Sequence, residues 1–258
     1  MEVLLCIYTR KRLEEKQQMK VISSLQHFIE HHKEKNHSRL ELFADNCFAQ
    51  NKNKILWGYL EHVAKSGVFS EIVIFYPIPG HSMMPVDSDF GAIEKRRRRF
   101  EKVHTPDDYV EIIKSARLKT PFQICFLHHA LRSQLQPLPG DEVIPILDYK
   151  LALLRHIRAT VPLQKVRTVK FTTIEPPQKR ETMTGDFSSF ALWKTGSRGP
   201  NNLDVQRITA DFQSVKAKKL EDVTSLLKHT AQYVRNCPLY QTMQLAGSED
   251  GSDIDEYE

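Results

Sequence analysis

A chain of 258 residues, with 40% hydrophobic and 27% charged side chains, is long enough for one large domain with appendages and is compatible with a buried core. It has no run approaching the roughly eighteen apolar residues of a membrane span, so we expect no membrane partner. Its four cysteines are far apart, which argues against a zinc ribbon or a disulfide framework and favours a reducing compartment. We therefore expect a nuclear or cytoplasmic protein that is not secreted.

The formal net charge of +5 hides an asymmetry between the body of the chain and its tail. Residues 248–258 hold six acids and no base, so the remaining chain carries a formal charge of +11. A basic body favours a polyanionic partner. The acidic tail is predicted to be disordered.

The first half of the chain alternates between predicted strands and helices. Residues 1–8 are apolar and predict a strand rather than a signal peptide, because they lack a leading basic region and a cleavage site. Residues 11–35 predict a helix. Two apolar runs, residues 40–44 and 72–76, predict strands separated by a helix over residues 52–66. This order predicts a βαβ-like unit with two neighbouring parallel strands.

Two more helices and a strand are predicted after this unit. One helix begins near Asp87 and is expected to place Phe90, Ile93 and Phe100 on one face. The next begins at Thr105, which is a suitable N-cap and is followed by proline and two acids. Residues 122–126 alternate between apolar and polar side chains and predict a strand.

The proline-rich residues 135–140 predict an internal boundary. Beyond it, residues 144–157 are apolar and partly helical in pattern, and residues 166–174 and 187–194 predict two strands. Apolar spacing between Leu220 and Val234 predicts a final helix. No internal repeat is present.

Acidic side chains lie where metal-dependent phosphodiester chemistry would need them. Asp45 follows a predicted strand, and α/β folds place their sites at the carboxyl ends of strands. Glu94 lies on the predicted helix that begins near Asp87. Asp87 and Asp89 are close to it in sequence, although Asp87 also suits a helix cap. Mg²⁺ or Mn²⁺ prefers carboxylate oxygens, and a pair of such ions can activate water and stabilise a leaving oxygen. We take Asp45 and Glu94 as candidate metal ligands and catalytic acids, with Asp87 and Asp89 as nearby candidates; ordinary surface acids are the alternative.

A block of five consecutive basic residues follows Glu94. It has three interpretations: contact with a phosphate backbone, a nuclear localisation signal, or a solvated helix face. Since five consecutive residues cannot share one face of a helix, at least some of them face solvent. The candidate nucleic-acid-binding residues are Lys95, Arg96, Arg97, Arg98 and Arg99.

Two motifs give the chain a resemblance to a known family. DNC-x-x-QNKN begins at Asp45, and GHS-x-x-P-x-D-x-DFG-x-IEK begins at Gly80. In this order they resemble a functionally uncharacterised family in animal genomes, whose members look like transposon-derived proteins with an RNase H-like, DDE-type integrase fold. The resemblance extends over most of residues 22–240. Its motif residues here include Cys47, Gln50, Asn51, Asn53 and His81.

The resemblance implies an α/β fold, with an RNase H-like core in which helices flank a mixed sheet. That core would occupy residues 1–134, an α+β extension residues 135–245, and the disordered tail residues 246–258. Asp45 would be the second acid of a DDE triad and Glu94 the third, with Asp89 as the reserve candidate. The implied partner is nucleic acid, DNA rather than RNA, and the oligomeric state is left open.

Two departures from the family pattern shape the functional expectation. Phe48 and Ala49 replace glycines, which predicts an altered turn beside Asp45. The opening strands that would carry the first acid are missing, and Glu2 is a poor substitute. We therefore expect an N-terminally truncated, transposase-derived protein that is catalytically defective and retains nucleic-acid binding. An active divalent-metal-dependent DNA transposase or nuclease, and a non-enzymatic interaction module or fragmentary gene product, are the alternatives.

Overall fold

The computed structural model of the chain describes residues 17–32, 37–78, 84–127, 142–197, 199–208 and 217–246. Several predictions fall outside these residues. They are the strand over residues 1–8, the motif residue His81, the boundary at residues 135–140 and the disordered tail.

The chain divides into two compact units, each described here by itself. The first comprises Met1–Asp87 and Pro145–Ile208, and the second comprises Ser88–Ile144 and Thr209–Glu258. Each unit therefore combines two separated stretches of sequence.

A mixed sheet lies at the centre of the first unit. β1 (Arg39–Phe43) and β2 (Glu71–Phe75) are parallel neighbours, as the predicted βαβ unit requires. β5 (Thr168–Thr172) pairs antiparallel with β2, and β6 (Gln178–Arg180) and β7 (Ser188–Ser189) follow in antiparallel pairs. Within the described residues the strand order is β1-β2-β5-β6-β7, so the protein has a mixed α/β fold with flanking helices.

Helices cover one face of this sheet. α2 (Lys54–Lys65) connects β1 to β2 and packs against β2 and β5. α1 (Gln17–His32) and α5 (Tyr149–Leu153) pack against α2. Strand residues alternate between the two faces. The buried, apolar face carries Leu40, Ile72, Ile74, Val169 and Phe171.

The second unit contains short elements. α3 (Pro85–Arg97) enters it from the first unit and is followed by α4 (Pro106–Lys114). β3 (Cys125–Leu127) and β4 (Glu142–Ile144) form a parallel pair, whose first strand falls in the region predicted from alternation. The C-terminal helices are α6 (Ala217–Leu227), α7 (Gln232–Arg235) and α8 (Pro238–Ala246).

The predicted start of α4 is confirmed in detail. The Thr105 hydroxyl accepts a hydrogen bond from the backbone N–H of Asp108, and the Asp108 carboxylate accepts one from the backbone N–H of Thr105. This reciprocal pair satisfies two donors that the helix leaves unpaired. At the other end of the chain, the Tyr240 hydroxyl donates a hydrogen bond to the backbone oxygen of His104, which ties α8 to the start of α4.

The helix predicted between Leu220 and Val234 is longer than the helix observed there. α6 ends at Leu227, because the backbone N–H and the hydroxyl of Thr230 both donate to the Leu227 oxygen. A hydroxyl that bonds the local backbone competes with helical hydrogen bonding. Ala231 then adopts an extended conformation, and a separate short helix follows.

Two other predictions are also wrong. Residues 187–194 form only the two-residue strand β7, because the neighbouring strand β6 offers a short edge for pairing. Phe90, Ile93 and Phe100 do not share one helix face: Ile93 is buried, whereas Phe90 is 44% exposed and Phe100 follows the end of α3 at Arg97.

The described part of the chain contains no helix that is both long enough and apolar enough to span a bilayer.

Candidate functional site

The first motif forms a loop at the carboxyl edge of the parallel strands. The backbone N–H of Ala44 still donates to the Phe75 oxygen across β1 and β2, at 3.0 Å, and Asp45 comes next. The Cys47 oxygen then accepts hydrogen bonds from the N–H groups of residues 50, 51 and 52. The loop therefore closes tightly beside Asp45, where sequence reasoning placed the candidate site.

The Asp45 carboxylate is exposed and orders the loop through one oxygen. Its Oδ1 accepts a 3.2 Å hydrogen bond from the Cys47 N–H and a 2.6 Å hydrogen bond from Asn51 Nδ2. Phe48 and Ala49 do not occupy the left-handed backbone region, since Lys165 is the non-glycine residue with positive φ among the described residues. The turn therefore forms without the glycines of the family pattern.

Lys52 fastens this loop to the rest of the first unit. Its ammonium donates to Asn46 Oδ1 at 2.9 Å and to the Val166 oxygen at 2.8 Å, and the residue is only 3% exposed. Asn46 Nδ2 in turn donates to the Pro77 oxygen at 2.7 Å. Burial lowers the pKa of Lys52, and the positive charge of Arg167 lowers it further. Lys52 is a structural centre of the motif that sequence reasoning missed.

The remaining motif residues support helix α2 and its contact with β2. Asn53 caps α2: its Oδ1 accepts from Leu56 N at 2.9 Å, while its Nδ2 donates to the Gln50 oxygen at 3.0 Å. The Tyr76 hydroxyl donates to the Asn51 oxygen at 2.8 Å and accepts from Trp57 Nε1 at 2.8 Å. Burial raises the pKa of Tyr76 well above its ordinary value. These contacts give the motif a folding role around Asp45.

The acids of the second motif have protein partners. Asp87 lies in the first turn of α3, and its Oδ2 accepts a 2.7 Å hydrogen bond from the Met84 N–H, which is the capping geometry. Asp89 is 5% exposed and forms an ion pair with Arg117, whose guanidinium also lies 4.7 Å from the Phe122 ring centre. Asp89 therefore holds α3 to the segment that follows α4.

Glu94 is exposed and pairs with a residue just beyond its own helix. Its Oε1 lies 3.1 Å from Arg98 Nε, four residues further along and directly after α3. Exposed pairs at this spacing contribute about 0.3–0.5 kcal/mol, so they are easily exchanged for another partner. Asp45 belongs to the first unit, whereas Asp89 and Glu94 belong to the second. A shared metal site between them stays a prediction.

The basic block divides into anchored and free side chains. Arg96 is anchored: its Nε donates to Ser115 Oγ at 2.9 Å, and its guanidinium lies 5.2 Å from the Phe100 ring centre. Lys95, Arg97 and Arg99 are exposed and form no ion pair with any residue that the structure describes. Basic residues at the end of a helix also interact favourably with its dipole.

The chain contains an identified domain. A family model described as "Domain of unknown function (DUF7869)" matches residues 7–184. The chain therefore belongs to the DUF7869 family. Comparison with curated proteins and with solved structures gives no match.

Proposed function

We propose that this chain is a transposase-derived, RNase H-like protein that binds DNA and is catalytically defective. The observation that carries the proposal is the arrangement of charge on α3. Its carboxyl end and the turn that follows present the exposed cations Lys95, Arg97 and Arg99, which form no ion pair with a described residue. The acids Asp89 and Glu94 of the same helix already have cationic partners. Cations that have no protein partner are available to replace the counterions of a phosphate backbone.

The ion pairs that Asp89 and Glu94 form with arginines support the proposed loss of catalysis. Asp89 is buried against Arg117, and a divalent cation at that carboxylate would have to displace a guanidinium. Asp89 therefore fits a metal site poorly. Glu94 is exposed and its partner Arg98 is weakly held, so it fits better.

A metal-dependent nuclease is the second candidate, and Asp45 favours it. Its carboxylate is exposed at the carboxyl edge of two parallel strands, where α/β folds place their sites. Both of its described hydrogen bonds reach Oδ1, so Oδ2 offers the hard oxygen that Mg²⁺ or Mn²⁺ prefers. Asp45 is the residue of the first unit that would hold such an ion, whose chemistry would be the activation of water.

DNA binding separates the proposal from an interaction module without nucleic-acid affinity. The full chain is titrated against a fluorescent DNA duplex, and the triple variant Lys95→Ala, Arg97→Ala, Arg99→Ala is compared with it. A matched control removes the same charge from other exposed lysines of the second unit, Lys119, Lys218 and Lys219. We expect the first variant to lose most of its affinity and the control to keep it. Equal losses would show that only net charge matters.

Catalysis is tested with end-labelled DNA and Mn²⁺. We expect the wild-type chain to leave the DNA intact, with no difference from Asp45→Ala. Cleavage by the wild type that disappears in Asp45→Ala, while DNA binding persists, would establish the nuclease instead.

A further inference from the structure

The sheet of the first unit has a second face that the proposed function does not use. Strand partners share a face, and the register places Phe43 opposite Phe75, Phe75 opposite Thr168, and Thr168 opposite Arg180. These four residues form a row across β1, β2, β5 and β6. The row lies on the face of the sheet opposite the buried apolar face, at the carboxyl end of β1.

An aromatic pair occupies one end of this row. The rings of Phe43 and Phe75 stack with centroids 5.0 Å apart and planes inclined by 19°. Phe43 is nevertheless 49% exposed, because β1 is the last strand of this sheet in the part of the chain that the structure describes. One side of its ring packs on Phe75, and the other is available to a planar group.

Two cations lie on the same face: Arg180 ends the row, and Lys170 lies on β5 in the neighbouring row. Lys170 Nζ and Arg180 Cζ each lie 4.8 Å from the ring centre of Phe187, which holds both charges at this face. Arg180 Nε donates to Thr168 Oγ1 at 3.1 Å, and the rest of its guanidinium is left for other acceptors. Neither cation forms an ion pair with a residue that the structure describes.

Two acids of this face are paired with a cation. Glu41 lies at the middle of β1 and Glu71 at the beginning of β2, and Arg39 reaches both, at 2.8 Å and 3.2 Å. The half of the face beside Phe43 therefore combines aromatic rings with two cations that form no ion pair with a described residue.

We infer that this half-face, formed by Phe43, Phe75, Lys170, Arg180 and Phe187, binds single-stranded nucleic acid. An exposed aromatic ring accepts a base by stacking, and nearby cations accept the phosphates that connect the bases. A duplex buries its base faces in its own stack, so the half-face selects single strands. It lies in the first unit and is independent of the cations on α3.

The test uses the full chain and fluorescein-labelled oligothymidine and oligouridine, followed by anisotropy. Stacking of one base is worth about 1–3 kcal/mol, so Phe43→Ala is expected to weaken binding about 5- to 150-fold. Phe43→Trp, which keeps a stacking surface, is expected to restore it. The double variant Lys170→Ala, Arg180→Ala is expected to flatten the salt dependence by about 1.4 in log–log slope, for two phosphates lost.

Matched controls separate this face from general charge and exposure. Lys179→Ala removes the cation next to Arg180 on the opposite face of β6, and Ile174→Ala removes an apolar side chain that is 91% exposed. Both are expected to bind as the wild type does. Inorganic polyphosphate, which has charge but no bases, is expected to bind Phe43→Ala and wild type equally.

The outcomes are decisive in both directions. Absence of single-strand binding by the wild type, or equal affinity of Phe43→Ala, Phe43→Trp and wild type, overturns the inference. A loss of polyphosphate binding in Phe43→Ala would also overturn it. The α3 variant Lys95→Ala, Arg97→Ala, Arg99→Ala is tested on the same oligonucleotides. If it loses duplex binding alone, both assignments stand, and each can otherwise fail without the other.

Discussion

Replacing Lys52 with methionine tests whether the hydrogen bonds of the first motif stabilise the folded protein. The substitution keeps an unbranched apolar stem but removes the ammonium that joins the Asp45 loop to the start of β5. Asn46 is half-buried, so water can replace the donor to its Oδ1, whereas Val166 is fully buried and its oxygen loses its donor. An unsatisfied buried acceptor costs about 1–3 kcal/mol, and we expect the free energy of unfolding to fall by that amount.

Lys54→Met provides the matched control. Lys54 is also a lysine of this segment, but its ammonium reaches only two long contacts, at 3.5 Å to the Arg158 oxygen and 3.3 Å to the Ala159 oxygen. We expect a change within about 0.5 kcal/mol, as for most surface substitutions. Urea unfolding is followed by the fluorescence of Trp57 and Trp193, which are both buried in the first unit. Equal stabilities of Lys52→Met and Lys54→Met would refute the reasoning.

The pH dependence gives a second signature of the same residue. The pKa of Lys52 is lowered in the folded protein, so the unfolded chain binds more protons between that pKa and the ordinary value of 10.5. Stability conferred by this group therefore rises with pH through that window. We expect the wild type to gain stability relative to Lys52→Met as the pH is raised towards 10.5, and a constant difference would contradict the assignment.

Three further predictions concern individual side chains. Asp89→Asn is expected to lower the free energy of unfolding by about 1–3 kcal/mol, because a buried charge-assisted bond is lost, and Glu94→Gln by no more than about 0.5 kcal/mol; equal urea midpoints would refute a structural role for Asp89. Burial raises the pKa of Glu61, so its charged form destabilises the fold above that pKa; Glu61→Gln should gain stability relative to wild type as pH rises above 4.5, which thermal unfolding across pH measures. Thr105→Ala should lose about 1 kcal/mol in urea unfolding, and Thr105→Ser should retain it.

Local signals in the sequence predicted the elements whose causes are local. The βαβ order and the start of α4 at Thr105 follow from short apolar runs and a capping sequence. β6 could not be predicted in this way. Its residues Gln178–Arg180 are polar and all half-buried, so they show no alternation between an apolar and a polar face.

The burial and the partners of two residues at the candidate site could not be predicted, because they depend on contacts with residues far away in the sequence. Lys52 bonds a backbone oxygen 114 residues away, and Asp89 finds its guanidinium 28 residues away. Their residue types suggested surface charges, whereas the fold buries both. Asp45 was placed correctly just beyond β1, because an acid that follows a short apolar run is a local pattern.

The salt dependence of duplex binding tests the central proposal most directly. Each phosphate contact contributes about −0.9 to the slope of log affinity against log salt concentration. Loss of Lys95, Arg97 and Arg99 should therefore flatten the slope by about 2.7, while the control that replaces Lys119, Lys218 and Lys219 should keep the wild-type slope. Identical slopes for the wild type and both triple variants would contradict DNA binding by the free cations of α3.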